Sequence, residues 1–344
     1  MVKTSFVVYL ATFLSAVFQF IAVPLTINYF GNELYSILSI ILSLVAYINL
    51  YNYGVPTTIN SLFSKDIDLK FRINSVLKGS IVLTIISLII IFILSFIYFF
   101  TDLINIYFDN TTIAETFFLV TIIVAINLPL NIFISSFVVF NKIIIERVYF
   151  ILISALPIGS ILIVEYLQLS FNYYLLIRFC TLLIISFVAF IYFTSIFKLN
   201  IIKEFFKVLK ENKFNDYNQI IKQSLKYIII GFSSLIIWNT DPIIMKKFME
   251  LEDVTAFLVT FKLISFSFFI FSAVNLIITP KISNYYAKRD FNKLQNIYDN
   301  SLILIIFIGG AIWIGALLFS EDIITVWVNK TAYADLLTTL LLGA

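Results

Sequence analysis

The chain has 344 residues, 61% of them hydrophobic and 12% charged, with a mean hydropathy of +1.03 and a formal net charge of +3 at pH 7. Soluble domains are roughly 45–50% apolar and about 25% charged, so most of this chain is built for a bilayer. With no histidine and one cysteine, Cys180, the sequence excludes the usual zinc centres, an internal disulfide and His-dependent nucleophilic catalysis.

A spanning helix needs about 20 mostly apolar residues. Such runs fall at about 5–30, 34–62, 75–101, 116–140, 148–165, 173–197, 223–246, 254–279 and 299–320, and a tenth begins near 333. The first run is long for a cleaved signal peptide and is followed at once by another, so no secretory cleavage is expected.

Positive charge sorts by side. Lys3, Lys65, Lys70, Arg72, Lys78, Lys142 and Arg147 fall on one side of these runs. So do Lys198, Lys203, Lys207, Lys210, Lys213, Lys222, Lys226, Lys281, Lys288, Arg289 and Lys293, which makes 18 of the 23 basic residues. The other side holds Lys246, Lys247 and Lys330 beside acidic residues such as Glu33, Asp102, Asp109, Glu250, Asp253, Glu321 and Asp322. Basic loops resist translocation, so the N-terminus is expected in the cytoplasm of a multi-pass protein of the bacterial inner membrane.

Residues 197–226 form the longest polar connection. It is Lys-rich, with Ile201, Ile202, Phe205, Phe206 and Leu209 at helical spacing. Two readings fit: an amphipathic helix on the anionic inner leaflet, or a solvated linker helix. A faint repeat supports a division there. Val23-Pro24 ends the first run as Asp241-Pro242 ends the seventh, and Lys65–Lys70 follows the second as Lys288–Lys293 follows the eighth. The expected organisation is an N-terminal lobe of six helices over 1–197, a connector over 198–222 and a C-terminal lobe over 223–344. That second lobe would hold only about four helices, so the chain is expected to be a fragment of a longer protein.

Charges inside apolar runs are costly, roughly 2.5–3.5 kcal/mol each on insertion scales, and draw attention to function. Arg178 and Lys262 are the two basic residues that sort with neither side and lie within such runs. Each either faces an aqueous cavity or snorkels toward the interface, and Lys262 shares a broad arc with Thr255, Ser265 and Ser272. Asp241, beside Pro242, is either an ion- or proton-coupling site or a neutralising partner for Lys246 or Lys262. Pro24, Pro129, Pro157 and Pro242 interrupt runs, and Pro24 and Pro242 are the candidate hinges. Asn28 and Asn52 are candidate lining residues of a polar lumen, alongside their alternative role as interhelical glue. No nucleotide, cofactor, metal or nucleic-acid motif is present, which disfavours a pump with its own ATPase and a soluble catalytic domain.

Gly31-Asn-Glu33-Leu-Tyr35-Ser36, then Ser43–Tyr47 and Leu50-Tyr-Asn-Tyr-Gly54, resembles the start of the polysaccharide repeat-unit flippases of the multidrug/oligosaccharidyl-lipid/polysaccharide (MOP) superfamily. Asp241-Pro242, Val254-Thr-Ala-Phe257, Lys262, Pro280, the basic turn to Asp290 and Trp327 resemble their second half. Ser36 stands where that pattern has a glycine, and Asn52 where it has an aspartate. The resemblance implies an all-α polytopic membrane protein with two pseudo-symmetric six-helix lobes around a central cavity. It further implies a transporter and not an enzyme, which flips an undecaprenyl-pyrophosphate-linked oligosaccharide by alternating access. Membrane lipids, a proton or sodium gradient and a polysaccharide polymerase complex would be its partners. Multidrug/cation antiport and membrane-embedded polymerisation are the alternatives.

Overall fold

The computed structural model describes residues 2–62, 69–198, 201–210, 214–266 and 288–343, with 271, 278, 282, 285 and 286 between the last two. Lys65–Asp68, Lys213, Ser272, Pro280 and Lys281 lie outside the described residues. Every regular element among the described residues is helical: α1 Val2–Phe30, α2 Asn32–Ile48, α3 Leu50–Leu62, α4 Leu69–Phe100, α5 Leu103–Phe108, α6 Thr111–Ser136 and α7 Ile143–Tyr166. There follow α8 Phe171–Ile196, α9 Ile201–Lys210, α10 Phe214–Asn239, α11 Asp241–Met245, α12 Leu251–Ser265, α13 Phe291–Trp327 and α14 Leu336–Gly343. Seven are long and apolar enough to cross a membrane: α1, α4, α6, α7, α8, α10 and α13. The pair α2 and α3, bent by 49° at Asn49, makes an eighth if taken as one span. The run expected over 254–279 is described as α12 to Ser265, and most of the rest lies outside the described residues.

The helix ends follow from local chemistry. Gly31, at φ +86°, closes α1 by donating its N–H to the Ile27 carbonyl at 2.7 Å, and α2 starts at the next residue. Asn110 caps α6, its Oδ1 accepting the N–H groups of Thr112 at 3.0 Å and Ile113 at 3.2 Å. Lys70, Arg72 and Lys78 belong to α4, because nothing between Leu69 and Lys78 breaks a helix.

The chain divides into two compact units. Unit 1 comprises residues 1–11 and 38–244. Its core runs through α3, α4, α6, α8, α9 and α10, with Val76, Leu83, Ile132, Phe137 and Phe193 almost fully enclosed. Lipid is as apolar as leucine, so helices in a membrane are held by close approach and polar bonds more than by burial from water. Both are present. A Cβ added to Gly79 of α4 would come within 2.4 Å of Ile59 Cδ1 and 2.6 Å of Ile132 Cδ1, so the α4 backbone passes close to α3 and α6. A Cβ on Gly54 of α3 would come within 2.5 Å of Ile228 Cγ1 and 3.0 Å of the Ser224 carbonyl of α10. Near that crossing, Ser224 donates to Thr58 at 3.1 Å, and Tyr47 and Thr240 share a 2.7 Å hydroxyl bond toward its other end. Helices α6 and α8 meet through Phe133 against Phe190 and Phe193, with centroids 4.8 and 5.2 Å apart.

Val208 of α9 is buried in this core, and Phe205 packs against it. This part of the connector's apolar face is therefore seated on protein, while Lys203 and Lys210 are exposed.

Unit 2 comprises residues 12–37 and 245–344. It joins most of α1 and the first turns of α2 to α12, α13 and α14. Asn32 donates to Thr331 Oγ1 at 3.0 Å, and Thr260 Oγ1 accepts the Ala334 N–H at 3.3 Å.

Candidate functional site

Pro24 lies inside α1. Proline has no N–H, so the Phe20 carbonyl four residues earlier loses its helix partner. In unit 2, Trp327, the last residue of α13, supplies the replacement. Its Nε1 donates to the Phe20 carbonyl at 3.2 Å, and its ring stacks on the Phe20 ring with centroids 4.0 Å apart and planes 9° off parallel. The Phe266 ring also lies against Phe20, with centroids 5.2 Å apart and planes tilted by 57°. The break at Pro24 is thus held by a residue more than 300 positions away.

Unit 1 repeats this arrangement with different residues. Pro129 orphans the Ala125 carbonyl of α6, and Ser87 Oγ of α4 donates to that carbonyl at 2.6 Å. Ser80 Oγ donates to the Pro129 carbonyl at 3.2 Å. Neither serine stands out in sequence, because an isolated serine in an apolar run has no local signature.

Ser36 and Thr255, both fully buried, meet at the α1–α2 turn end of unit 2. Their hydroxyl oxygens lie 2.6 Å apart, Ser36 Oγ is 2.5 Å from the Leu251 carbonyl, and Thr255 Oγ1 is 2.5 Å from the Asn32 carbonyl.

The sequence-predicted residues fall in both units. Arg178, Asn52, Asp241 and Pro242 lie in unit 1, and Lys262, Asn28 and Pro24 in unit 2. Arg178 is in the third turn of α8 and half-buried. Its Nη1 donates to the Tyr174 hydroxyl one turn back at 3.2 Å, and its guanidinium carbon lies 5.9 Å from the Phe179 ring centroid. Tyr174 is fully buried, so it holds the guanidinium back toward the helix N-terminus, the direction in which helical side chains already lean. Lys262 is half-buried in the last turn of α12, where a cation complements the partial negative charge of the helix end.

Asp241 is exposed and opens the short helix α11. Pro242 is buried in the first turn of α11, where its missing N–H leaves no helix bond unmade. Tyr107 of α5 donates to the Ile243 carbonyl at 3.2 Å. Asn28 is exposed in the last turn of α1. Asn52 is half-buried, donates from Nδ2 to Asn49 Oδ1 at 3.2 Å, and keeps a buried Oδ1 without a partner among the described residues. Its main-chain carbonyl is the one that Pro56 deprives of a helix partner.

One basic residue is more buried than its sorting by side indicates. Lys78 sorts in sequence with the basic residues of one side, near the start of the run over 75–101, and it sits in the third turn of α4, 7% exposed, with Nζ 5.8 Å from the Tyr217 ring centroid of α10.

Among the described residues every regular element is helical and seven helices are long and apolar enough to cross a membrane, an architecture that comparison with known proteins places more closely. The fold is similar to that of a solved MATE family transporter. The solved structure "Inward-facing conformation of a multidrug resistance MATE family transporter of the MOP superfamily" matches 96% of this chain and 75% of its own, with a TM-score of 0.63 and 12% sequence identity. Residues 227–343 match the MatE family. Over 102 residues, 30% of this chain, the sequence is 30% identical to a Salmonella typhi protein named "Putative O-antigen transporter". That match spans 22% of the Salmonella protein's length.

Proposed function

We propose that this protein is a transporter that flips a lipid-linked oligosaccharide, carried on undecaprenyl pyrophosphate, from the inner to the outer leaflet of the bacterial cytoplasmic membrane. The observation that carries the reading is the sign of the charge inside the apolar runs of the sequence. Arg178 and Lys262 are both cationic, while α1 has no carboxylate anywhere between Val2 and Phe30. A sugar diphosphate is anionic and needs a wet, cationic passage. A cation antiporter of the same superfamily would instead want a carboxylate in its path. The sequence similarity to the Salmonella protein supports the same choice.

In this reading, two lobes, residues 1–197 and 223–344, rock against each other around a central cavity, with residues 198–222 as their cytoplasmic connector. Arg178 and Lys262 would meet the diphosphate, and Asn28 and Asn52 the sugar hydroxyls. Pro24 and Pro242 serve as hinges, and Asp241 couples the cycle to a proton or sodium gradient. A lipid-linked product on the outer leaflet would pass to a polysaccharide polymerase.

The test is deletion of the gene in its source bacterium, followed by measurement of which leaflet holds the lipid-linked oligosaccharide. Complete single repeat units trapped in the inner leaflet are expected. Units that reach the outer leaflet at the normal rate would end this reading. If they stayed unpolymerised there, a polymerase would be indicated, and altered drug tolerance with no sugar defect would indicate an antiporter.

A further inference from the structure

We propose that Ser36 and Thr255 form a two-fold-related polar latch that opens and closes once per transport cycle, an inference that rests on the transporter function proposed above. Ser36 lies four residues beyond Asn32, and Thr255 four beyond Leu251. Each hydroxyl reaches the carbonyl that begins the other's turn, Ser36 to Leu251 and Thr255 to Asn32, both at 2.5 Å. Exchanging α2 for α12 therefore maps the whole set onto itself. The sequence carries the same relation. Ser36 and Thr255 are 219 positions apart, and Pro24 and Pro242 are 218 apart.

Proton accounting shows why this is a poor permanent joint. The two hydroxyls own one proton each, and each proton can serve one acceptor at a time. Three oxygen–oxygen contacts, at 2.5, 2.5 and 2.6 Å, compete for those two protons. One contact is always two oxygens facing each other with no hydrogen between them, so the knot is weaker than its distances suggest. Both carbonyls also belong to helix first turns and keep their own i+4 partners, so the knot parts without unwinding either helix. Once open, every one of the four oxygens finds water. A valine and an alanine would hold two static helices together at no polar cost. A buried but under-protonated polar contact is suited to a surface that must separate and wet.

The test uses the full-length protein with Cys180→Ser. Ser36→Cys places a thiol at a position with 0% exposure, so a charged maleimide added to either face of membrane vesicles reaches it only when the latch opens. Slow labelling is expected. Adding Thr255→Val should raise the rate about tenfold, the factor that one lost hydrogen bond supplies. The pair Ser36→Cys with Thr255→Cys should form a disulfide on mild oxidation, given the 2.6 Å between the present oxygens. Oxidation should then stop flipping, and a reductant should restore it. The latch is overturned if the cross-linked protein flips at the reduced protein's rate. It is equally overturned if the thiol at position 36 stays unlabelled with and without Thr255→Val while exposed Asn28→Cys is labelled. Labelling needs no substrate, so a protein that labels as expected yet moves no lipid-linked oligosaccharide removes the flippase reading and leaves the latch standing.

Discussion

Trp327 Nε1 donates to the Phe20 carbonyl at 3.2 Å, and that carbonyl is the one Pro24 leaves without a helix partner. The two facts predict a thermodynamic coupling. Trp327→Phe keeps an aromatic ring beside Phe20 but removes the N–H together with part of the indole. The lost bond should lower stability by about 1 kcal/mol, since polar bonds between membrane helices average roughly 0.6 and reach about 1.7 kcal/mol. Pro24→Ala restores the main-chain donor at position 24, so the Trp327→Phe penalty should be smaller in that background by the hydrogen-bond part, leaving only the cost of the lost ring volume. Thermal unfolding of the four detergent-solubilised proteins of this double-mutant cycle measures the coupling. Equal Trp327→Phe penalties in both backgrounds would refute it.

Ser87 and Ala125 offer the same test in unit 1. Ser87→Ala strands a buried carbonyl that Pro129 has already stripped of its helix bond. A loss of about 1 kcal/mol is expected, falling toward zero when Pro129→Ala supplies an N–H. Chemical denaturation of the single and double variants separates this from a simple loss of side-chain volume, which Pro129→Ala would not rescue.

These two pairs show where the sequence stops being readable. The apolar runs, the proline breaks and the side-sorted lysines are local signals, and they place most of the spans and the weak points of α1 and α6. The residues that repair those weak points are not local. Trp327 carries a hint through its resemblance to a family position, but nothing adjacent to Ser87 or Ser80 marks them. Amphipathy in α9 announces an apolar face without saying what covers it, and Val208 shows that part of it is covered by the unit 1 core. Lys78 misleads for a related reason. Its charge groups it with the basic residues of one side, and the sequence does not tell that an uninterrupted helix from Leu69 and the neighbouring Tyr217 ring accommodate it inside the protein.

The close crossings at Gly54 and Gly79 predict a steric response. Neither glycine needs an unusual backbone angle, and both are buried where an added methyl meets Ile228 at 2.5 Å or Ile59 at 2.4 Å. Gly79→Ala meets two isoleucine side chains that can each swing, so a cost of about 1 kcal/mol is expected. Gly54→Ala also approaches the Ser224 carbonyl at 3.0 Å, which cannot swing, and should cost about 2–3 kcal/mol. Melting temperatures of the two variants rank them, and the reverse order would contradict the packing described.

The N-terminus of α13 has a defined pH limit. The Asp290 carboxyl accepts from Lys293 through its side chain at 3.0 Å and its main-chain N–H at 3.3 Å, and these bonds hold its pKa below the ordinary 3.8. A depressed folded-state value means that the cap's contribution is present above the unfolded pKa and is lost as pH falls through the folded one. Amide exchange in the first turn of α13 should therefore be insensitive to Asp290→Asn once the pH is low enough to protonate the folded carboxyl, and faster in the variant near neutrality. Hydrogen exchange of both proteins at the two pH values checks it.

Arg178 and Lys262 give the last prediction, and their surroundings make it asymmetric. Tyr174 fixes the Arg178 guanidinium by one hydrogen bond and leaves most of its five donors for an anion. Bidentate recognition of a diphosphate uses that planar fork, which lysine lacks. Arg178→Lys should thus lower the flipping rate by roughly tenfold or more although the charge is kept. Lys262 already presents a point charge at a helix end, and Lys262→Arg should retain most activity. Neutral Gln at either position should impair flipping most, because desolvating the diphosphate would then lack a compensating cation. Leaflet-resolved quantification of lipid-linked oligosaccharide in cells carrying each variant orders the four substitutions. If Arg178→Gln flips at the parental rate, the guanidinium lies outside the substrate path, and the Tyr174 bond then serves only to house a snorkelling arginine.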